Sequence, residues 1–271
     1  MLAKILVDNR SKNELACEWG LAVYIEHEGH KLLLDTGTTG VFVKNAESMG
    51  VRLEEVEYGI LSHAHYDHSD GMSAFFEKNK TAKFYLRKGS EENCYGKRWI
   101  FYKYNGIAKG LLEKYKDRIL YVEGNFTLLP GVSLLPHTTP GLEKIGKRAG
   151  LYIKKGRRWY PDSFVHEQSL VIDTEEGLVI FNSCSHGGAD NIIREVSEAF
   201  PGKEICALIG GLHLYRSTEA EIRALAEGIR KTGIRKVITG HCTGTAAFDL
   251  LKAELGDTVE ALYTGMEFKI G

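Results

Sequence analysis

At 271 residues, 43% of them apolar, the chain is long enough to bury one large α/β core or two small ones. A formal net charge of −1 removes any global field arguing for nucleic acid or a membrane surface, which leaves a small molecule as the expected partner. The five cysteines are scattered and odd in number, and charges at Lys4, Asp8 and Arg10 break the apolar start of the chain. Reduced thiols, no signal peptide or membrane span, and a cytoplasmic location are therefore expected.

Strands are predicted at 2–7, 21–26 and 31–35, with a turn at Glu28-Gly29, then a helix over 41–49 that Gly50 is suited to end. A buried strand at 56–61 leads into a histidine-rich run, and a helix from Ser69 carries Met72, Phe75 and Phe76 on one face. Residues 79–160 break the rhythm, with tyrosine, lysine and glycine abundant and Tyr95, Trp99, Phe101, Tyr102 and Tyr104 close together. This stretch reads either as a helical insertion with aromatic core contacts or as a lid over a substrate pocket. Between Lys144 and Arg158 there are seven basic residues and no acidic one, ordinarily a solvated face, but one that would suit a phosphate or carboxylate if folded over a site.

The second half alternates strand and helix. Strands are predicted at 169–173 and 178–181, then a helix through Ile192, Ile193, Val196, Ala199 and Phe200 that Pro201-Gly202 stops. A strand at 205–209 follows, then a capping-box pair, Thr218 and Glu221, ahead of Ile222, Leu225 and Ile229. Val237-Ile238 runs into His241, Phe248, Leu251 and Leu255 mark the last helix, and two short strands close the chain. No linker is visible, so 1–271 is expected to be a single domain of α/β class.

The run Ser62-His63-Ala64-His65-Tyr66-Asp67-His68 carries the chemistry, with three imidazoles and a carboxylate. Imidazole is the commonest side-chain ligand for zinc-like ions. Alternate side chains of extended backbone point the same way, so His63 and His65 are able to grip one ion together. Asp67 and His68 fall where the chain turns into a helix and reach toward a second. A chance cluster of loop histidines is the bland alternative, and the order and placement of these residues argue against it.

These residues resemble the His-x-His-x-Asp-His signature of the metallo-β-lactamase superfamily. Leu32-Leu33-Leu34-Asp35-Thr36-Gly37 is similar to the superfamily's first motif, whose aspartate orients the metal-binding loop, and Thr239-Gly240-His241 to the late motif that supplies a ligand to the second metal. Asp8-Asn9, Trp19-Gly20-Leu21, Ser183-Cys184-Ser185-His186, Gly210-Gly211-Leu212-His213-Leu214 and Gly240-His241-Cys242-Thr243-Gly244 resemble one subgroup. It is the set of metal-dependent hydrolases known as 7,8-dihydropterin-6-methyl-4-(β-D-ribofuranosyl)aminobenzene-5′-phosphate synthase-like. The resemblance spans nearly the whole chain. It implies a four-layer αββα sandwich of the metallo-β-lactamase type, with the metals in a groove at one sheet edge.

The resemblance further implies two divalent metal ions, zinc expected and iron or manganese as alternatives. His63, His65 and one later histidine would hold the first, and Asp67, His68 and His241 the second. His186, on a strand-to-helix turn before Gly187-Gly188, leads for the open place, with His166 and His137 as alternatives. Many members bridge their metals with an aspartate where this chain has Cys184, here either a thiolate ligand or a small buried residue. His213 reads either as a satisfied core histidine or as a substrate-facing proton donor, and Asp8 and Asp35 as acceptors that lock imidazole tautomers.

Two such ions sharing a water lower its pKa toward ~7 and aim the hydroxide at an electrophile, so hydrolysis leads, with Asp67 and His213 as catalytic residues. The expected substrate is a phosphoester or cyclic phosphodiester. A lactone or thioester hydrolase, an iron-dependent redox enzyme of the same fold and a pterin-related phosphate synthase are the alternatives. The diiron flavoprotein relatives carry an acidic residue where His65 stands and an appended flavin domain, and both are missing here.

Overall fold

The computed structural model describes all 271 residues. Strands β1 (Leu2–Val7), β2 (Ala22–His27) and β3 (His30–Leu34) open the chain. Helix α1 (Val41–Ser48), strand β4 (Tyr58–Ile60), and helices α2 (Tyr66–Ser69) and α3 (Met72–Lys78) follow. Next come β5 (Lys83–Arg87), β6 (Cys94–Arg98), β7 (Phe101–Tyr104), α4 (Leu111–Lys114), β8 (Ile119–Val122), β9 (Phe126–Leu129) and β10 (Val132–Pro136). Helix α5 (Leu142–Ala149) precedes the hairpin of β11 (Leu151–Lys155) and β12 (Arg158–Pro161). The last third holds β13 (Gln168–Thr174), β14 (Gly177–Phe181), α6 (Ala189–Ala199), β15 (Ile205–Gly211), α7 (Glu219–Thr232), β16 (Lys236–Gly240), α8 (Thr245–Leu255), β17 (Val259–Ala261) and β18 (Glu267–Lys269).

These strands form two seven-stranded sheets, ordered β18-β1-β2-β3-β4-β5-β8 and β17-β16-β15-β14-β13-β10-β9. Strand alternation explains how they stack. Leu32 and Leu34 of β3 and Val179 and Phe181 of β14 join one core between the sheets. The intervening Leu33 packs outward with Phe42 and Phe75 of α1 and α3, and Ile180 packs outward with Ile192, Ile229 and Leu251 of α6, α7 and α8. Helices thus cover both outer faces, and the result is the expected αββα sandwich. Helix α7 begins with the predicted capping box, Thr218 and Glu221 bonding reciprocally. No helix is long and apolar enough to cross a membrane.

The segment 79–160 is not one insertion. Strands β5 and β8 extend the first sheet, and β9 and β10 the second, because their buried Phe84, Leu86, Val132 and Leu134 belong to the main cores. What remains is a separate four-stranded sheet, β12-β11-β6-β7, with α5 beside it. Strand outweighs the expected helix here: β5 to β12 are joined by only the short helices α4 and α5 and a single 3-10 turn.

Candidate metal centre

Several strands deliver chemistry at one shared edge. Strands β3 and β4 are parallel, as are β14, β15 and β16, so their carboxyl ends lie together. Asp35 follows β3, His186 the turn after β14, His213 follows β15, and His241 follows β16. Strand β13 runs antiparallel to β14, so its amino end, preceded by His166 and Glu167, reaches the same edge. Gln168 ties the sheets together there, its amide side chain donating to Leu61 O at 2.8 Å. Four residues at this edge, Asp35, Ser185, His213 and His241, hold φ between 47° and 59°. Non-glycine residues avoid that region, and its recurrence here fits a site where packing overrides local preference. Gly211 is required for a different reason: a Cβ there would lie 2.5 Å from Cys242 Sγ.

The first cluster is formed by His63, His65 and His186, whose ligand atoms all lie within 4.8 Å of one another. All three Nε2 atoms are buried and have no hydrogen-bond partner. Burial, reinforced by the neighbouring imidazoles, drives the pKa of His63 and His65 well below the usual range, so both rings are neutral and keep a lone pair. His186 donates Nδ1–H to Glu167 Oε2 at 2.6 Å, which leaves its Nε2 bare. His63 Nδ1 lies 2.8 Å from Ser62 Oγ, which itself donates to Asp35 Oδ2 at 2.6 Å. An orphaned buried nitrogen is costly, and three of them facing one point fit a cation.

The second cluster joins Asp67, His68 and His241. His68 Nδ1 donates to Asp35 Oδ2 at 2.8 Å, and His241 Nδ1 to Asn9 Oδ1 at 3.0 Å. Their Nε2 atoms face each other across 3.1 Å. Burial lowers the His241 pKa, but Cys242, Asp67 and Asp8 outweigh it and bring it to about 9, so a proton or a metal cation satisfies the pair. Asp67 Oδ2 stands 3.5 Å from His241 Nε2 and 3.8 Å from His68 Nε2. Burial alone would raise the Asp67 pKa, but His68 and His241 outweigh it and hold the carboxyl well below the usual range.

Cys184 lies between the clusters. It belongs to a group with His63 and His68, and to another with His186 and His213. Its Sγ is 3.4 Å from His68 Nε2 and 3.4 Å from Cys242 Sγ. The His213 ring lies 4.5 Å from that of His186, tilted by 50°, and its Nδ1 has no partner. Both histidines line a groove of about 410 Å³, along with Arg148 and Arg216.

The alternatives for the third histidine have other partners. His166 Nδ1 accepts from Ala64 N at 3.2 Å and its Nε2 meets Asp162 at 3.0 Å, so neither nitrogen is free. It pins the backbone between His63 and His65. His137 is held between Glu195, 2.9 Å away, and Glu167, 3.3 Å away, and burial is overcome by these carboxylates to bring its pKa to about 9.

Asp35 accepts from the His68 ring, whereas Asp8 does not contact an imidazole nitrogen. Its Oδ1 accepts from the backbone N of His241 at 2.8 Å, and Asn9 takes the ring. The basic run divides: Arg148 reaches the groove, while Lys154, Lys155, Arg157 and Arg158 are exposed on the β11–β12 hairpin. Glu167, Asn9, Ser62 and Asp162 were not singled out from sequence. Asn9 stood within the Asp8-Asn9 motif, whereas nothing local marked Glu167.

The sequence profile of the metallo-beta-lactamase superfamily matches residues 20–146. Over that stretch, and in fold and histidine motif, the chain is similar to that superfamily. It is 27% identical, over 92% of its length and 89% of the relative's, to the 7,8-dihydropterin-6-methyl-4-(beta-D-ribofuranosyl)-aminobenzene-5′-phosphate synthase of Methanocaldococcus jannaschii. Among solved structures it resembles Tm1679, described as a metal-dependent hydrolase of the beta-lactamase superfamily, with a TM-score of 0.85, 28% identity, and coverage of 100% of this chain and 99% of that one. The metallo-beta-lactamase fold protein YhfI from Bacillus subtilis shares the fold alone, at a TM-score of 0.59 and 14% identity, with 98% of each chain covered.

Proposed function

We propose that this chain is a binuclear metal-dependent hydrolase acting on a phosphoester. The observation that carries the reading is the convergence of bare, buried Nε2 atoms from His63, His65 and His186 beside the opposed Nε2 atoms of His68 and His241. His63, His65 and His186 would hold one ion and Asp67, His68 and His241 the other, with Cys184, between the clusters, as a candidate further ligand. This donor set favours zinc, iron or manganese over magnesium. Bound ions of this kind polarise a phosphoryl oxygen and supply a water-derived nucleophile at neutral pH.

The chain's own residues do the remaining work. Glu167, Asp35 and Asn9 hold the imidazoles in the tautomer that turns Nε2 inward. Asp67 offsets cationic charge. We assign His213, its Nδ1 unpartnered beside the groove, the role of giving a proton to the leaving group. Arg216 lines the same groove and suits an anionic substrate, while Arg148 is paired there with Glu221 at 3.2 Å. The M. jannaschii relative is named for a 5′-phosphate compound, which is consistent with that substrate class.

The test is elemental analysis followed by assay of bis(p-nitrophenyl) phosphate. One to two equivalents of a divalent transition metal are expected, with hydrolysis lost in chelator and restored by zinc. His65→Ala should abolish turnover with the fold intact, and Asp67→Asn should be nearly as damaging. Full activity in chelator would end the metal reading; turnover confined to lactones or thioesters would end the phosphoester one.

A further inference from the structure

A second cavity, of about 590 Å³, lies between the small sheet and the metal edge. The antiparallel pairings Gly96↔Lys103 and Leu151↔Gly96 place those residues on one face of that sheet, and Arg98, two positions beyond Gly96, shares it. Gly96 leaves the floor bare. Tyr66, Tyr215 and Arg216 also line the cavity. Tyr66 sits between His65 and Asp67 in sequence, and the Tyr215 ring lies 5.3 Å from that of His213. The cavity therefore begins one side chain away from the histidine clusters, and it meets the groove beside His186 at Ala149 and Arg216.

Its charge is one-sided. Arg98, Lys103 and Arg216 line it with Lys109, whose ammonium donates to Glu92 O, while Lys97 is turned to the sheet's other face by its pairing with Tyr102. The single carboxylate is Asp70, which already accepts from Ala108 N at 2.9 Å. Lys97 and Arg216 lie over tyrosine rings, 5.4 and 5.2 Å from the centroids, rather than against carboxylates. Arg98 and Lys103 are exposed at the rim. Like charges gathered round a concave, partly desolvated surface repel one another and concentrate anions there. The volume falls within the roughly 300–1,000 Å³ typical of small-molecule pockets.

We propose that this cavity binds a second phosphate group of the substrate, remote from the bond that breaks, so that the substrate is a phosphoester bearing at least two phosphates. The inference rests on the hydrolase reading for the breaking bond, while the cavity's affinity for phosphate stands apart from it. Arg98 and Lys103 grip the remote group, and the reacting group lies at the histidines.

The test is calorimetric titration of inorganic pyrophosphate into the purified protein and into its Arg98→Glu/Lys103→Glu variant at low salt, with metal content and thermal midpoint checked in both. The variant should bind at least tenfold more weakly, at unchanged metal content and midpoint, and Arg98→Lys/Lys103→Arg should recover most of the affinity. Equal affinity in wild type and the charge-reversed variant overturns the proposal. In the assay, KM for an ester with a second phosphate should rise at least tenfold in the charge-reversed variant, while KM for bis(p-nitrophenyl) phosphate stays put. A protein that hydrolyses no phosphoester would defeat the hydrolase reading yet leave the pyrophosphate titration readable, which separates the two failures.

Discussion

Glu167 Oε2 lies 2.6 Å from His186 Nδ1, and both side chains are buried. The carboxylate is shared, since its other oxygen stands 3.3 Å from His137 Nε2. One buried acid therefore sets the tautomer of a candidate ligand and partners a second, charged histidine. Removing it should be felt at the metal centre without touching a ligand. Glu167→Ala is expected to weaken metal binding at the first position by about 10–100-fold. Competition with a chromophoric chelator measures this, and wild-type affinity in the variant would remove Glu167 from the centre.

The three candidate histidines should separate cleanly. His186→Ala is expected to lose about one equivalent of metal, because it removes one of three converging nitrogens. His166→Ala and His137→Ala should retain full stoichiometry, since their nitrogens are already taken by Ala64, Asp162, Glu195 and Glu167. Metal analysis of the three variants decides it. Loss from His166→Ala alone would transfer the ligand role to that residue.

Asp35 should matter to stability as well as to metal. Its two oxygens accept from Ser62 N, Ser62 Oγ and His68 Nδ1, all buried. Asp35→Ala strands three donors at once, and a loss of roughly 3–5 kcal/mol is expected by analogy with broken buried networks. Urea unfolding at neutral pH measures this, and a change below about 1 kcal/mol would mean water replaces the carboxylate without penalty.

His137 gives the fold a pH dependence. Its carboxylate neighbours raise its pKa from 6.5 to about 9 despite burial. A raised folded-state pKa adds stability that is fully present below about 6.5 and is lost as pH rises through about 9. Across that window the wild type should lose up to about 3 kcal/mol relative to His137→Ala. A variant with the same slope as wild type would assign the dependence to other groups.

Much of this was legible along the chain. The apolar runs Leu32-Leu33-Leu34 and Val179-Ile180-Phe181 mark strands with two buried faces, while their stacking as two sheets with outer helices is what the resemblance to the metallo-β-lactamase superfamily implies. The Thr218–Glu221 cap shows that local chemistry suffices where partners are a few residues apart. The same holds for the run from His63 to His68, whose spacing alone suggests shared ligation. The segment 79–160 was misread because short strands that complete distant sheets carry no local sign of where they pair.

What the sequence by itself determined is therefore most elements outside 79–160 and the candidate ligand types, because helical and strand periodicity and short motifs are local. The tertiary structure decided which groups meet. Strand β13 runs antiparallel to β14, and that direction brings Glu167 to the metal edge although it precedes its strand. It also decided that His166 supports the loop at Ala64, that Asn9 rather than Asp8 holds the His241 ring, and that Arg98 and Lys103 share a cavity wall with Tyr66 and Tyr215. Such contacts join residues far apart in the chain through strand order and direction, which no local pattern encodes.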